Sequence, residues 1–151
     1  MKEFKGDIVK NMHLFDGLCI TTNGTIKKNG ACVMGRGIAL TFRDMFTGFD
    51  QIVGNKIIIN GNIVNVIGKF THKDNTSTII FTFPVKHNWY DIADIELIKQ
   101  SCIQLMRWID HYGLKKVALP RPGCGNGKLS WKDVKPAIEE ILDERVYVAT
   151  F

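Results

Sequence analysis

Hydrophobic residues recur along the chain at two different spacings, one typical of helices and one typical of buried strands. In segment 91–112 the apolar residues are Ile95, Ile98, Cys102, Leu105, Met106 and Ile109. Steps of three and four residues predict an amphipathic helix, and Gly113 stands where such a helix would take a left-handed C-cap. Segment 33–46 follows several glycines and carries apolar residues at similar intervals, which predicts a second helix.

Short apolar runs predict strands at 14–21, 78–85, 116–120 and 145–151. Segment 78–85 (TIIFTFPV) is rich in the β-branched and aromatic residues that favour strands. Segment 133–142 predicts a further helix. Its Pro136 is expected in the first turn, because a proline there breaks no intrahelical hydrogen bond.

Segment 51–68 admits two interpretations. The pair Asn60-Gly61 between two apolar runs is typical of a hairpin turn. Alternatively, 51–59 is a helix and only 63–67 is a strand. We favour the second interpretation.

The alternation of strands and helices predicts a layered α/β fold. A length of 151 residues suits one domain, and 45% hydrophobic with 23% charged residues is typical of a folded one. The chain has no apolar run near 18 residues, and its first residues lack the apolar core of a secretory signal. We therefore expect a cytoplasmic protein with no membrane segment.

Charge and metal-binding residues change this picture little. A formal net charge of +5 favours anionic partners such as phosphates or nucleic acid, although scattered lysines are also typical of a solvated surface. The four cysteines and four histidines show no metal-ligand spacing. We expect neither a metal site nor a disulfide framework.

Two glycine-rich segments, 23–39 and 120–128, are the candidates for chemistry. Loops that leave strands and open helices form the ligand edge of an α/β sheet, and glycine lets backbone N–H groups approach an anion. Two such loops could hold a diphosphate from both sides, although tight turns alone would also explain the glycines. Leu40 breaks a dinucleotide fingerprint, and Pro122 and Leu129 break a P-loop.

Four motifs make the assignment more specific. They are Gly6-Asp7-Ile8, Met34-Gly35-Arg36-Gly37-Ile38-Ala39, Phe83-Pro84-Val85-Lys86-His87 and Leu119-Pro120-Arg121-Pro122-Gly123-Cys124-Gly125. In this order the chain resembles the macro-domain family, within the branch of the terminal ADP-ribose protein glycohydrolase and the DNA ADP-ribosyl glycohydrolase antitoxins. The resemblance runs from about residue 5 to residue 151.

The resemblance implies one domain over 1–151 with a three-layer α/β/α fold, a central mixed sheet and a helix at 51–59. It also implies an ADP-ribose site. Asp7 would accept a hydrogen bond from the adenine amino group, with the Ile8 backbone nearby. The other expected ligand-binding residues are Thr22, Gly35, Gly37 and Ile38 on one side, and Pro122, Gly123, Cys124, Gly125, Asn126 and Gly127 on the other.

The resemblance further implies that Lys86 acts at C1″ of the distal ribose and that Asn23 positions this ribose. A solvated lysine and an Asn-Gly turn are the alternatives. The expected activity is hydrolysis of an ADP-ribosyl linkage on a nucleic acid or a protein, or processing of a derivative such as the 1″-phosphate. A non-catalytic module that reads or sequesters ADP-ribose is the other candidate. We expect a monomer that needs no cofactor.

Two positions depart from the family pattern. Gly127 stands where the terminal ADP-ribose protein glycohydrolase has a catalytic aspartate, whereas the antitoxins share the glycine. Segment 25–31 is longer than in either relative and carries Lys27 and Lys28. It could contact a nucleic acid, or it could be a surface insertion without a role in binding.

Overall fold

The computed structural model describes residues 1–150. Its strands are β1 (Lys2–Lys5), β2 (Gly17–Thr22), β3 (Val66–Thr71), β4 (Ser77–Pro84), β5 (Val117–Pro120) and β6 (Val146–Thr150). Its α-helices are α1 (Gly37–Met45), α2 (Phe49–Asn60), α3 (Ile95–Tyr112) and α4 (Trp131–Glu139). The strand predicted for 145–151 is confirmed up to residue 150, and Phe151 lies outside the described residues.

The six strands form one sheet in the order β1-β6-β5-β2-β4-β3. All neighbouring strands pair in parallel except β3 and β4, which are antiparallel. One face packs in a cluster with α3 and α4, through residues such as Ile98 and Ile138. The other face packs with α1 and α2, through residues such as Phe42 and Val53. The predicted three-layer α/β/α fold with a mixed central sheet is therefore confirmed.

Helix α3 shows why the predicted helix 91–112 begins too early. The Asp94 side chain caps the helix by accepting a hydrogen bond from the Glu96 N–H at 2.9 Å. Asp91 instead belongs to a preceding turn, where its N–H donates to the Asn88 carbonyl at 3.1 Å. At the other end Gly113 adopts φ 62° and ends the helix as predicted.

Helix α1 likewise begins at Gly37 rather than at Val33. The Val33 N–H donates to the Thr25 carbonyl at 3.1 Å, which holds this part of the segment against the preceding loop. The residues before Gly37 are therefore available to line a cavity.

The helical interpretation of segment 51–59 is confirmed by α2, and Gly61 ends this helix with φ 92°. The following strand begins at Val66 instead of Ile63. The reason is that the Val64 and Asn65 N–H groups donate to side chains, Gln104 Oε1 and Thr82 Oγ1, instead of to a ladder.

The expectation that Pro136 lies in a first turn is wrong. Helix α4 begins at Trp131, so Pro136 is its sixth residue. Proline removes the N–H that would bond to the Lys132 carbonyl. Both residues are exposed, so water can solvate that carbonyl.

None of the helices within residues 1–150 is long and apolar enough to cross a bilayer.

Candidate functional site

A cavity of about 1190 Å³ opens at the carboxyl ends of the parallel strands. Thr22 ends β2, Pro120 ends β5 and Val85 follows β4, and all three residues line it. This edge is where open α/β sheets bind ligands. The volume exceeds the range of roughly 300–1,000 Å³ that is usual for small-ligand pockets, so it suits an extended ligand.

The structure brings together all but one of the residues predicted for the site. Those that line the cavity are Asp7, Ile8, Thr22, Asn23, Gly35, Gly37, Ile38, Lys86, Gly123, Cys124, Gly125, Asn126 and Gly127. Pro122 does not line it. This proline is buried, and its carbonyl accepts a weak hydrogen bond from Cys124 Sγ at 3.8 Å.

The first glycine-rich loop leads directly into α1. Gly37 has φ 60°, a left-handed conformation that favours glycine. The first N–H groups of a helix have no intrahelical partners and, with the helix dipole, favour an anion. A Cβ at Gly37 would lie 3.5 Å from Asn126 Nδ2, so the two glycine-rich loops face each other closely across the cavity.

The second glycine-rich loop is closed by its own backbone. The Leu129 N–H donates to the Gly123 carbonyl at 2.9 Å, and the Gly127 carbonyl accepts from the Ala93 N–H at 3.0 Å. Gly123 has φ 76°, and a Cβ there would lie 2.6 Å from Ile98 Cδ1. The loop therefore packs directly on α3, which leaves room for glycine alone at this position.

Lys86 lies between the two sides of the cavity. Its Nζ donates to the Trp89 carbonyl and to the Asn126 carbonyl, each at 3.2 Å. Burial lowers the pKa of Lys86 below its ordinary value, and repulsion from Arg36 and Lys128 lowers this pKa further. The amine is therefore held in a defined position and loses its proton more easily than a solvated lysine.

The backbone around Lys86 is fixed from several directions. The Val85 N–H donates to the Thr22 carbonyl at 3.0 Å, and the Val85 carbonyl accepts from the Asp94 N–H at 2.9 Å. The Lys86 carbonyl accepts from Asn62 Nδ2 at 3.0 Å. These bonds tie the lysine to β2, to the start of α3 and to the loop after α2.

The Asn23 side chain is already engaged by the protein. Its Nδ2 donates to the Val33 carbonyl at 2.9 Å, and its Oδ1 accepts from the Thr25 N–H at 3.0 Å. The bond to Val33 joins the start of the longer loop to its end, and the bond from Thr25 closes a turn at its start. The turn interpretation of Asn23 thus has direct structural support, while one amide hydrogen and one lone pair stay available to a ligand.

Asp7 presents one free carboxylate oxygen in the loop after β1, which three strands of the sheet separate from β4, the strand that precedes Lys86. Its Oδ1 accepts from the Val9 N–H at 2.9 Å and from the Lys10 N–H at 3.1 Å. Within residues 1–150 its Oδ2 has no hydrogen-bond partner. A fixed carboxylate with a free oxygen suits an exocyclic amino group, which is a hydrogen-bond donor.

Several cavity residues were not predicted as site residues from the sequence. They are Arg36, Trp89, Tyr90, Asp91, Arg121 and Lys128. The Arg121 guanidinium stacks 4.8 Å above the Trp131 ring, and its buried Nε has no hydrogen-bond partner in the part of the chain that the structure describes. The only sequence signal that could have identified these residues is their place in the chain, since each lies within a predicted motif or within five residues of one.

Cys124 is the one thiol in the cavity among the described residues, and it is a free cysteine. Burial raises its pKa above the ordinary value, and Arg121 opposes this rise only in part. A protonated thiol is a weak nucleophile, so the Cys124 side chain is poorly suited to nucleophilic attack. Residues 1–150 contain no group of three or more histidine, cysteine or acidic side chains that could hold a metal ion.

Comparisons with known proteins place these features in context. The model of the Macro domain family matches residues 27–138. A DNA ADP-ribosyl glycohydrolase of Thermus aquaticus is 32% identical over 119 residues, which cover 76% of this chain and 32% of the relative. An ADP-ribose glycohydrolase of Homo sapiens is 26% identical over 114 residues, which cover 74% of this chain and 68% of the relative.

Among solved structures, the macrodomain of Thermus aquaticus DarG superposes with a TM-score of 0.76 at 28% identity. The match covers 99% of this chain and 96% of that one. The chain thus has the whole of that fold, but it spans only about a third of the length of the bacterial glycohydrolase that it matches.

Proposed function

The chain belongs to the macro-domain family, and we propose that its cavity binds ADP-ribose and that it hydrolyses an ADP-ribosyl linkage. The observation that carries this proposal is the position of Lys86, which lines the cavity and whose Nζ is held by the Trp89 and Asn126 carbonyl groups. The names of the relatives support the same reaction class.

The two ends of the cavity suit the two ends of ADP-ribose. The free oxygen of Asp7 would accept a hydrogen bond from the adenine amino group, beside the Ile8 backbone. The diphosphate would lie between the start of α1 and the loop 123–127, where backbone N–H groups and glycines permit close approach. This placement directs the distal ribose toward Lys86 and Asn23.

Lys86 is suited to act on C1″ of this ribose. A neutral amine that gives both hydrogens to the Trp89 and Asn126 carbonyls keeps its lone pair free for attack. The lowered pKa of Lys86 increases the neutral fraction near physiological pH. If the amine instead stays protonated, its remaining hydrogen can stabilise charge that develops on the leaving atom.

The nucleophilic route consists of two successive displacements at C1″. The Nζ lone pair forms a bond to C1″ while the bond from C1″ to the acceptor breaks, and the electron pair leaves with the acceptor. The proton lost by the substituted ammonium passes to the acceptor. The oxygen of a water molecule then bonds to C1″ as the C–N bond breaks. One proton of this water passes to Nζ, and the other stays on the new C1″ hydroxyl. The net reaction consumes one water per ADP-ribose released.

Non-catalytic binding is the second candidate, and Gly127 is the observation that favours it. The terminal ADP-ribose protein glycohydrolase, which this chain resembles, has a catalytic aspartate at this position. Asp91 is the carboxylate that opposes the lowering of the Lys86 pKa, and one of its oxygens already accepts two hydrogen bonds from Asn88. A module of this kind would bind ADP-ribose without turnover.

The test compares wild type with Lys86→Ala on an ADP-ribosylated oligonucleotide and on an ADP-ribosylated protein. Lys132→Ala is the matched control, because Lys132 is exposed and lies on α4 away from the cavity. We expect Lys86→Ala to lose about 100-fold or more in kcat while still binding free ADP-ribose. Equal turnover by Lys86→Ala would refute the role of the lysine. Binding without any turnover by wild type would favour the non-catalytic module.

A further inference from the structure

Two aromatic side chains stand in solvent at the rim of the cavity. Trp89 is 52% exposed and Tyr90 is 69% exposed, and their rings meet edge to face with centroids 5.7 Å apart. Both residues line the cavity mouth beside Lys86. Neither ring is needed for the core. Large aromatic groups that are clustered in water mark interaction sites.

The turn that carries these rings is rigid. The Trp89 N–H donates to Thr25 Oγ1 at 3.0 Å, and the Trp89 carbonyl accepts from Lys86 Nζ at 3.2 Å. Asp91 Oδ2 accepts from the Asn88 N–H at 3.0 Å and from Asn88 Nδ2 at 3.3 Å. The backbone beneath the rings is therefore organised before any partner arrives, which lowers the entropic cost of binding.

Two cations complete the rim. Arg36 and Lys128 are exposed, line the cavity and are close enough to Lys86 to lower its pKa by charge repulsion. Neither forms an ion pair with any residue from 1 to 150. Asp91 also lines this part of the cavity, and it keeps its negative charge while it accepts hydrogen bonds from Asn88. With two cations and one carboxylate, the rim retains a net positive charge next to the exposed rings.

We propose that this rim, formed by Trp89, Tyr90, Arg36 and Lys128, binds a single-stranded nucleic acid that carries the ADP-ribosyl group. Bases would stack on the two rings while backbone phosphates face the two cations, which is the usual combination for single-strand binding. A duplex fits less well, because its bases already stack on each other. This inference rests on the proposed function.

The proposal predicts a footprint larger than the modified nucleotide. An ADP-ribosylated oligonucleotide should have a higher kcat/KM than an ADP-ribosylated mononucleoside, since only the oligonucleotide reaches the rim. Log kcat/KM for the oligonucleotide should also fall with log salt concentration. Each phosphate contact with a single strand adds about 0.7 to that slope.

The experiment measures the ratio of kcat/KM for the oligonucleotide to kcat/KM for the mononucleoside. We expect Trp89→Ala and Tyr90→Ala each to lower this ratio about 5- to 150-fold, the range for one lost base stack. Trp89→Phe should recover most of the loss, because it retains an aromatic face. Tyr112→Ala is the aromatic control, since Tyr112 stacks on Trp108 at the end of α3.

The double variant Arg36→Ala/Lys128→Ala tests the role of charge. It should make the slope of log kcat/KM against log salt concentration shallower by roughly 1 to 1.5, and Lys132→Ala is the control. If Trp89→Ala and Tyr90→Ala leave the kcat/KM ratio unchanged while wild type binds ADP-ribose and cleaves both substrates, the rim does not bind the nucleic acid. The proposed function would still stand. Preference for an ADP-ribosylated peptide over the oligonucleotide would also overturn it, in favour of a protein carrier. Failure of wild type to bind ADP-ribose would instead remove the proposed function.

Discussion

Replacing Gly123 by alanine tests the packing of the second glycine-rich loop on α3. The new side chain would have to adopt φ 76°, a left-handed conformation that costs an L-residue roughly 1–2 kcal/mol. Its Cβ would also lie 2.6 Å from Ile98 Cδ1 and 3.1 Å from Ala93 Cβ. Ile98 is fully buried, so it cannot move freely, and overpacking of this kind costs about 1–3 kcal/mol.

The sum is about 2–5 kcal/mol, a large part of the roughly 5–15 kcal/mol that stabilises an ordinary domain. For a chain of this length we expect a fall in Tm of roughly 4–20 °C, at about 2–4 °C for each kcal/mol. Differential scanning calorimetry measures it. The displaced loop should also bind ADP-ribose more weakly.

Gly125→Ala is the matched control, because Gly125 has φ 66° but a Cβ there would meet nothing within 4 Å. It should suffer the conformational cost alone, about 1–2 kcal/mol. Ile98→Val removes the clashing Cδ1, so the double variant with Gly123→Ala should be more stable than the two single effects added together. Equal melting temperatures for Gly123→Ala and Gly125→Ala, with no coupling to Ile98→Val, would refute the packing argument.

Three further predictions follow from the hydrogen bonds and charges. If the neutral Lys86 amine is the nucleophile, kcat should rise with pH, with a midpoint below the ordinary lysine pKa of 10.5. Arg36→Ala removes a repulsive charge and should move this midpoint to higher pH. A kcat that does not change with pH would count against attack by the amine. Asn23→Ala removes the hydrogen bond that closes the longer loop and the one that closes the turn at its start, which should cost about 1–3 kcal/mol in urea unfolding. An unchanged midpoint would contradict that role. The Arg145 guanidinium holds the pKa of Asp143 below its ordinary value, so this pair stabilises the fold above about pH 4 and the effect is lost as pH falls through the lowered pKa. Asp143→Asn should accordingly lower Tm more at pH 7 than at about pH 2, and an equal loss at both pH values would show that the charge is not involved.

The parts of the fold that could be predicted are those with a strong local signal. Helix α3 shows a clear period and a C-cap glycine, and the two glycine-rich loops carry the conformational demands of an anion site. Strand β1 was missed, because only Phe4 in Lys2–Lys5 is apolar and the strand lies at the edge of the sheet. Pro136 was misjudged because the start of α4 depends on tertiary packing that its sequence does not show.

The chemistry of the rim was harder to predict than the cavity. Trp89 is close to Lys86 in sequence, whereas Arg36 and Lys128 come from two other segments, and only the fold brings these cations to Lys86. The engagement of the Asn23 amide is also invisible in sequence, since its partner Val33 is ten residues away. Sequence motifs thus predicted where a ligand would lie, while the contacts that tune the site required coordinates.

The central claim is that this cavity binds ADP-ribose, and calorimetric titration of the wild-type chain with ADP-ribose tests it most directly. AMP and NAD serve as controls. The account predicts saturable binding with a dissociation constant on the order of micromolar, tighter for ADP-ribose than for AMP, because the diphosphate and distal ribose add contacts on the two glycine-rich loops. No saturable heat with ADP-ribose, or equal affinity for AMP, would contradict it.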